Sequence, residues 1–256
     1  MNEFFIHEGG KTMYIVFLAL VLIFFATISL LGALDKKKSK GVVLTEKMRC
    51  KDYYQSMALL WGAALAVFIM CFIGNISLAD IGFRPINFKY NIWFTAATLI
   101  LNGLIFSFLL YQTIHLLTSA KSREEAKKQI VDGEGDTNML PRTKKEKRLF
   151  SFLSFSAGVC EELIFRGFLV FLLLAIFPVI PIYFIILIPS VIFGIGHSYQ
   201  GLQGVIKTGG FGALLMCLFL VTDSLLLAIL LHFLADLSSA FLLSEEDIEN
   251  SKNEIQ

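Results

Sequence analysis

Six ionisable side chains interrupt the apolar second half of this sequence of 256 residues. They form three groups: two acids and an arginine, a single histidine, and a histidine–aspartate pair. The residues are Glu161, Glu162 and Arg166, then His197, then His232 and Asp236. A charged residue at the centre of a membrane helix costs about 2.5–3.5 kcal/mol, and such residues usually face the bundle interior and mark function. One shared polar cavity would accommodate all six, so we predict that the three segments meet.

Helical spacing predicts different roles for the two adjacent acids. Glu162 and Arg166 are four residues apart, so they share a helix face and can neutralise each other. Glu161 points about 100° away from Glu162, and the sequence assigns it no local partner. A carboxyl group in a low-dielectric site is suited to act as a general base. Glu161 is therefore the better catalytic candidate of the two, whereas His232 and Asp236 are predicted to project from one face.

Glutamate and histidine together are suited to activate water for attack on a carbonyl group, and a second histidine can stabilise the oxyanion. No Ser or Cys is placed as a nucleophile beside a base, and the HExxH and GxGD patterns are absent. Four of the residues are also a permitted zinc-ligand set, namely Glu161, His197, His232 and Asp236. The sequence therefore leaves the cofactor open: either a divalent metal such as zinc, or none.

The composition indicates which elements must position these side chains. Hydrophobic residues make up 56% of the chain and charged residues 17%, against roughly 45–50% and 25% in soluble domains. Runs of about 20 apolar residues predict membrane helices. We therefore predict an all-α fold, a polytopic bundle of seven or eight transmembrane helices. The predicted helices are 14–34, 57–78, 92–117, 149–177 (long, and either tilted or split in two), 180–199, 205–221 and 225–243, with breaks at 178–181, 201–204 and near Asp223.

Basic residues predict the orientation, because they concentrate in cytoplasmic loops. Loops 35–56, 79–91 and 118–148 contain seven, two and nine Lys and Arg residues. The alternation places the N-terminus outside and the two basic loops in the cytoplasm. The acidic tail is then also inside, unless an eighth span reverses it. Topology explains the basic blocks; direct binding of anionic lipid headgroups is the alternative.

We predict four regions along the chain. They are a three-helix membrane unit (1–118), a basic cytoplasmic loop (119–148) with a polar linker at 132–138, a catalytic helical core (149–243) and an acidic tail (244–256). The formal net charge of +1 gives no indication of a nucleic-acid partner. The expected partners are the lipid bilayer and a membrane-associated substrate.

The three groups resemble the three signature motifs of the CAAX protease and bacteriocin-processing (CPBP, Abi or Rce1-like) membrane proteases. Order and spacing both agree across about residues 149–243. The run 163–167 also looks like part of the first motif, and 81–85 (IGFRP) looks like a short family-style loop. The matching residues are Glu161 and Glu162 with Arg166, Phe193 with His197, and His232 with Asp236.

The resemblance implies an intramembrane endopeptidase that cleaves a lipidated or membrane-associated peptide. Eukaryotic and archaeal relatives remove the last three residues of prenylated proteins, and bacterial relatives are linked to peptide processing, self-immunity and signalling. It also implies roles: Glu161 and His197 would activate the water, and His232 and Asp236 would form the oxyanion site. The supporting residues would be Glu162, Arg166 and Phe193.

One residue departs from the family pattern. The last motif residue is often Asn, whereas this sequence has Asp236. An ionised Asp cannot donate a hydrogen bond, which makes a direct oxyanion contact by Asp236 less suitable. Orientation of His232 or metal binding is then favoured as the role of Asp236, and a metalloprotease remains an alternative.

The alternative to a peptidase is a non-catalytic membrane scaffold or a bacteriocin self-immunity protein that uses the same cavity for binding. A transporter would need an inverted repeat, and the sequence shows none. The membrane would be the cell membrane in a bacterium and the endoplasmic reticulum membrane in a eukaryote.

Overall fold

The computed structural model describes residues 8–39, 44–122, 124–125 and 139–241. Eight α-helices lie entirely within these residues, two short 3-10 turns follow α6 and α8, and the described part of the chain contains no β-strand. The all-α prediction is confirmed. The helices are α1 (Glu8–Ser39), α2 (Glu46–Ile73), α3 (Ile92–Thr118), α4 (Lys144–Glu162), α5 (Leu169–Ile176), α6 (Ile182–Gly196), α7 (Gly201–Thr222) and α8 (Leu226–Ser238).

The long helix predicted over 149–177 is one continuous element with an altered centre. A π-helical segment, Leu163–Phe168, joins α4 to α5 without a break. The element begins earlier than predicted because Thr143 and Glu146 form a capping box, in which each side chain accepts a hydrogen bond from the other's backbone N–H. The wide π turn lies within the first motif, and π turns often occur at functional sites.

The lengths of the helices show how the bundle meets the membrane. Four helices are long and apolar enough to cross it: Gly10–Gly32, Glu46–Ile73, Ile92–Thr118 and Ser198–Thr222. α6 and α8 have 15 and 13 residues, so each is only roughly 20 Å long, less than the hydrocarbon thickness of about 30 Å. The protein is therefore a multi-pass helical membrane protein with two short apolar helices beside its long spans.

Two predictions of helix boundaries are wrong. The second helix was predicted over 57–78 but spans Glu46–Ile73, because Thr45 caps its N-terminus. Residues 201–204 were expected to break the chain, but they form the first turn of α7. The break precedes them, in the 3-10 turn Ser198–Gln200. Gly201 has a φ of 85°, which reverses the backbone direction and then allows a new helix to start. The glycines therefore correctly indicated a helix break in this region, but the break lies a few residues earlier than predicted.

α1 packs against the middle of the long helical element through aromatic rings. Phe25 lies 4.5 Å from Phe165 between ring centroids, and Tyr14 contacts Phe171 edge-on at 5.6 Å. α2 packs on α4, and α3 packs on α7 and α8. The predicted division into four regions remains a prediction, and the linker 132–138 and the tail 244–256 lie outside the described residues.

The loop between α2 and α3 holds the turn between α7 and α8. The Gly82 carbonyl accepts a hydrogen bond from the Leu225 N–H at 3.0 Å, and the Ser224 hydroxyl donates to the Arg84 carbonyl at 2.6 Å. The Arg84 guanidinium also pairs with the Asp223 carboxylate. These contacts involve the IGFRP sequence at 81–85, so this loop fixes where α8 begins.

The same loop reaches the first motif. A Cβ atom on Gly167 would lie only 2.5 Å from the carbonyl oxygen of Ile81. The π segment and the loop backbone can therefore pack together only because residue 167 has no side chain. Close packing against the loop thus explains why a glycine occupies position 167 in the first motif.

Candidate active site

A buried carboxylate stands at the centre of the candidate site. One oxygen of Glu162 (Oε1) accepts a hydrogen bond from Nη1 of Arg166 at 2.7 Å and another from Nδ1 of His232 at 2.7 Å. All three residues are at most 3% exposed. The pairing of Glu162 with Arg166 agrees with the prediction from spacing. The contact with His232 was not predicted, since it joins α4 to a helix 70 residues later.

Arg166 extends this network to two further helices. Its Nη2 donates to the Gly212 carbonyl of α7 at 3.0 Å, and its guanidinium lies 4.8 Å from the centre of the Phe193 ring on α6. Cations interact favourably with aromatic faces at such distances. One arginine therefore links the first-motif helix to both α6 and α7.

The Phe193 ring separates and positions the two histidines. Its centroid lies 4.6 Å from that of His197 and 5.8 Å from that of His232, the latter edge-on. Phe193 is itself 2% exposed. It therefore acts as an apolar wall shared by both imidazoles, which fits the supporting role implied by the resemblance.

The far nitrogen of His232 faces two further acids. Because the Glu162 carboxylate can only accept, Nδ1 of His232 must carry a proton. Its Nε2 then lies 3.7 Å from Oε2 of Glu161 and 3.7 Å from Oδ2 of Asp236. Both distances exceed a direct hydrogen bond. Three carboxylates from two helices therefore surround one imidazole, and only Glu162 bonds to it.

Exposure divides these residues into a support and an accessible rim. The side chains of Glu162, Arg166 and His232 are at most 4% exposed, whereas those of Glu161 and Asp236 are 18% and 40% exposed. Oε2 of Glu161 and Oε2 of Glu162 are both buried and have no hydrogen-bond partner among the described residues. An unpaired buried carboxylate oxygen is costly. Only the Glu161 carboxylate is also partly exposed, so only Glu161 is accessible to a proton from substrate or water.

His197 lies at the C-terminal end of α6 with one ring nitrogen fixed. Its Nδ1 donates to the Phe193 carbonyl at 2.8 Å, which leaves the Nε2 lone pair free to accept a proton. The structure thus brings five of the six predicted side chains into one network and places His197 beside it across Phe193.

The close approach of α4 and α8 makes this convergence possible. A Cβ atom on Gly158 would lie 3.1 Å from the Phe233 backbone nitrogen and 3.2 Å from the Ile229 carbonyl oxygen. Small residues allow membrane helices to approach in this way. Gly158 was not singled out from the sequence, although its position one helical turn before Glu162 is the signal that could have identified it.

Metal binding at this site stays a prediction. Within the described ranges, no group of three or more His, Cys, Asp or Glu side chains is arranged to hold a metal ion. The side chains that would supply the ligands of a bound zinc are Glu161, His197, His232 and Asp236.

Comparison with known proteins adds a family to this geometry. Residues 147–238 match the family model described as type II CAAX prenyl endopeptidase Rce1-like. The chain carries an Rce1-like domain. This domain runs from the start of α4 to the end of α8 and includes all the candidate residues, in agreement with the resemblance to CPBP proteases. No curated protein and no solved structure matches the chain. Residues 147–238 of this multi-pass helical membrane protein are thus similar to the Rce1-like endopeptidases.

Proposed function

We propose that the Rce1-like domain is a membrane-embedded peptidase in which Glu161 and His197 activate a water molecule. The observation that carries this proposal is the convergence of the Glu161 and Asp236 carboxylates on Nε2 of His232, 3.7 Å from each. Structural ion pairs alone would not require a second, partly accessible acid, Glu161, beside a buried Glu162 that already accepts hydrogen bonds from Arg166 and His232. The arrangement instead provides a base next to a hydrogen-bond donor.

In the first step, Glu161 removes a proton from water while the hydroxide oxygen bonds to the carbonyl carbon of the substrate. His197 orients that water through Nε2, because its Nδ1 is already committed to the Phe193 carbonyl. The carbonyl π electrons move to its oxygen. A positioned base of this kind contributes about 10²–10⁴-fold to a rate.

In the second step, the resulting oxyanion needs a donor that is already in place. His232 supplies it through Nε2–H when that nitrogen is protonated, since Glu162 holds the ring by its other nitrogen. Asp236 acts on His232, because a carboxylate cannot itself donate to an oxyanion. The intermediate then collapses: Glu161 returns its proton to the amide nitrogen, the C–N bond breaks, and an amine and a carboxylic acid leave.

We further propose that the substrate is a prenylated or otherwise membrane-associated peptide. The matching family is named for prenyl endopeptidase activity on CAAX sequences. The site lies between apolar helices, and His197 and Asp236 both lie near the ends of their helices. With the predicted orientation, those ends face the cytoplasm, where a lipidated peptide tail would be presented.

A purified preparation tests this proposal with a farnesylated peptide that ends in a CAAX sequence, its products followed by mass spectrometry. The wild type should release the terminal tripeptide, and Glu161→Gln and His197→Ala should each be slower by about 10²-fold or more. Glu124→Gln is the matched control, because Glu124 is exposed and lies outside the matched domain.

Cleavage by Glu161→Gln at the wild-type rate would contradict the mechanism. Failure of the wild type on this peptide would contradict the substrate class. Persistence of the protein's cellular function in both active-site variants would favour the scaffold or immunity alternative.

A further inference from the structure

A basic cleft lies between the first turns of α2 and α4, at the opposite end of α4 from Glu161 and Glu162. It has a volume of about 750 Å³ and adjoins a smaller cleft of about 380 Å³, and the two share Tyr54 and Lys145. The cleft is wide and open to the surface. We define the basic cleft by its charged lining: Lys47, Lys51, Lys144, Lys145, Arg148 and Glu46.

The charge of this cleft is strongly unbalanced. Five cations face a single acid, Glu46, which lies 3.5 Å from Lys145. Each helix also contributes a like-charge pair four residues apart, Lys47 with Lys51 and Lys144 with Arg148. Like charges at this spacing repel each other and destabilise a helix. An anion in the cleft would relieve both repulsions at once.

Buried contacts hold the two helices in register around the cleft. Arg49 pairs with Glu146 at 2.7 Å, and both side chains are at most 5% exposed. The Tyr53 hydroxyl donates to the Met139 carbonyl at 2.6 Å. The basic side chains therefore project from a fixed frame that joins α2 to α4, and not from a loop.

Below the cations, the cleft continues onto apolar surface. Its lining there includes Tyr54, Ala58 and Leu149, and Tyr54 is 57% exposed. α2 is one of the long apolar helices, and tyrosine is typical of membrane–water interfaces. Cations above and apolar side chains below match an amphiphile whose phosphate binds the cations and whose acyl chains lie along the helices.

We propose that the basic cleft binds the headgroup of an anionic phospholipid such as phosphatidylglycerol. The proposal does not depend on peptidase activity. It differs from a general attraction of basic loops to an anionic surface, because it requires two specific helices and a shaped cleft.

Native mass spectrometry of the full chain in detergent tests the proposal. The probes are phosphatidylglycerol and phosphatidylcholine with identical acyl chains. The wild type should bind phosphatidylglycerol more tightly. Each Lys or Arg near an anionic lipid surface adds a similar favourable free energy of binding. The double variant Lys144→Gln with Arg148→Gln loses two of these contributions, so its affinity for phosphatidylglycerol should fall roughly thirtyfold.

The matched control removes the same number of cations elsewhere. Lys121→Gln with Lys207→Gln changes two exposed lysines outside the cleft, and its affinity for phosphatidylglycerol should stay within about twofold of the wild type. The charge-preserving double variant Lys144→Arg with Arg148→Lys should bind phosphatidylglycerol as the wild type does. That result would show that substitution at these two positions does not itself disrupt the cleft. Glycerol phosphate, which lacks acyl chains, should bind more weakly than the lipid.

Three results would overturn the proposal. They are equal binding of the two lipids by the wild type, an equal loss in the control variant, and binding of glycerol phosphate as tight as that of the lipid.

Discussion

Glu161 and Glu162 are adjacent acids, and the structure predicts opposite consequences for the same substitution. Glu162→Gln removes a fully buried charge that is hydrogen-bonded to both Arg166 and His232. Glu161→Gln removes a partly exposed charge whose buried oxygen has no hydrogen-bond partner among the described residues. The first change should therefore affect stability and the second should affect activity alone.

The magnitudes follow from burial. Loss of one partner of a buried ion pair leaves an uncompensated charge and costs about 3–5 kcal/mol. Arg166 is 1% exposed, so Glu162→Gln should fall in that range. Glu161→Gln should change the free energy of unfolding by less than about 0.5–1 kcal/mol, because it breaks no short contact and relieves repulsion from Glu162.

Unfolding of the purified protein in mixed micelles by increasing SDS measures this difference. Tryptophan fluorescence and circular dichroism report the transition, and the two variants are compared at the same detergent mole fraction. Equal destabilisation by the two substitutions would refute the division into a buried support and an accessible catalytic rim. So would a stable Glu162→Gln protein.

Two further predictions concern how the site is positioned. Gly167→Ala should destabilise the protein by about 1–3 kcal/mol, because the new Cβ atom would lie 2.5 Å from the Ile81 carbonyl oxygen. Gly103→Ala is the control and should be tolerated, because no atom lies within 4 Å of a Cβ at that position. Thermal unfolding of both variants measures the difference. Burial opposes ionisation of Glu146, but hydrogen bonds from the backbone N–H groups of residues 142 and 143 and the contact with Arg49 lower the pKa of Glu146 below its ordinary value. The stability from this contact is therefore complete above the ordinary carboxyl pKa and is lost as the pH falls through the lowered one. Unfolding measured against pH should show a shallower acid loss in Glu146→Gln, and parallel profiles would contradict it.

The sequence predicted the helical class and the pairing of Glu162 with Arg166. These features depend on apolar run length and on spacing within one helix, both of which can be read locally. The sequence also placed Gly201 near a helix boundary, although it assigned residues 201–204 to the break and they form the first turn of α7.

The remaining features arise from contacts between helices. The bond from His232 to Glu162 joins residues 70 positions apart, and the π segment changes the faces that regular helical spacing assigns to residues 163–168. The docking of the 81–85 loop on Gly167 likewise depends on two backbones meeting. Spacing within single helices carries no information about such meetings.

In the proposed mechanism, this chain hydrolyses peptide bonds with Glu161 as the base. A comparison of peptide termini tests this in membranes from cells that produce the wild type, Glu161→Gln or the control Glu124→Gln at equal levels. New termini should appear with the wild type and the control and should be absent with Glu161→Gln. Identical termini in all three samples, with every protein folded and inserted, would contradict it.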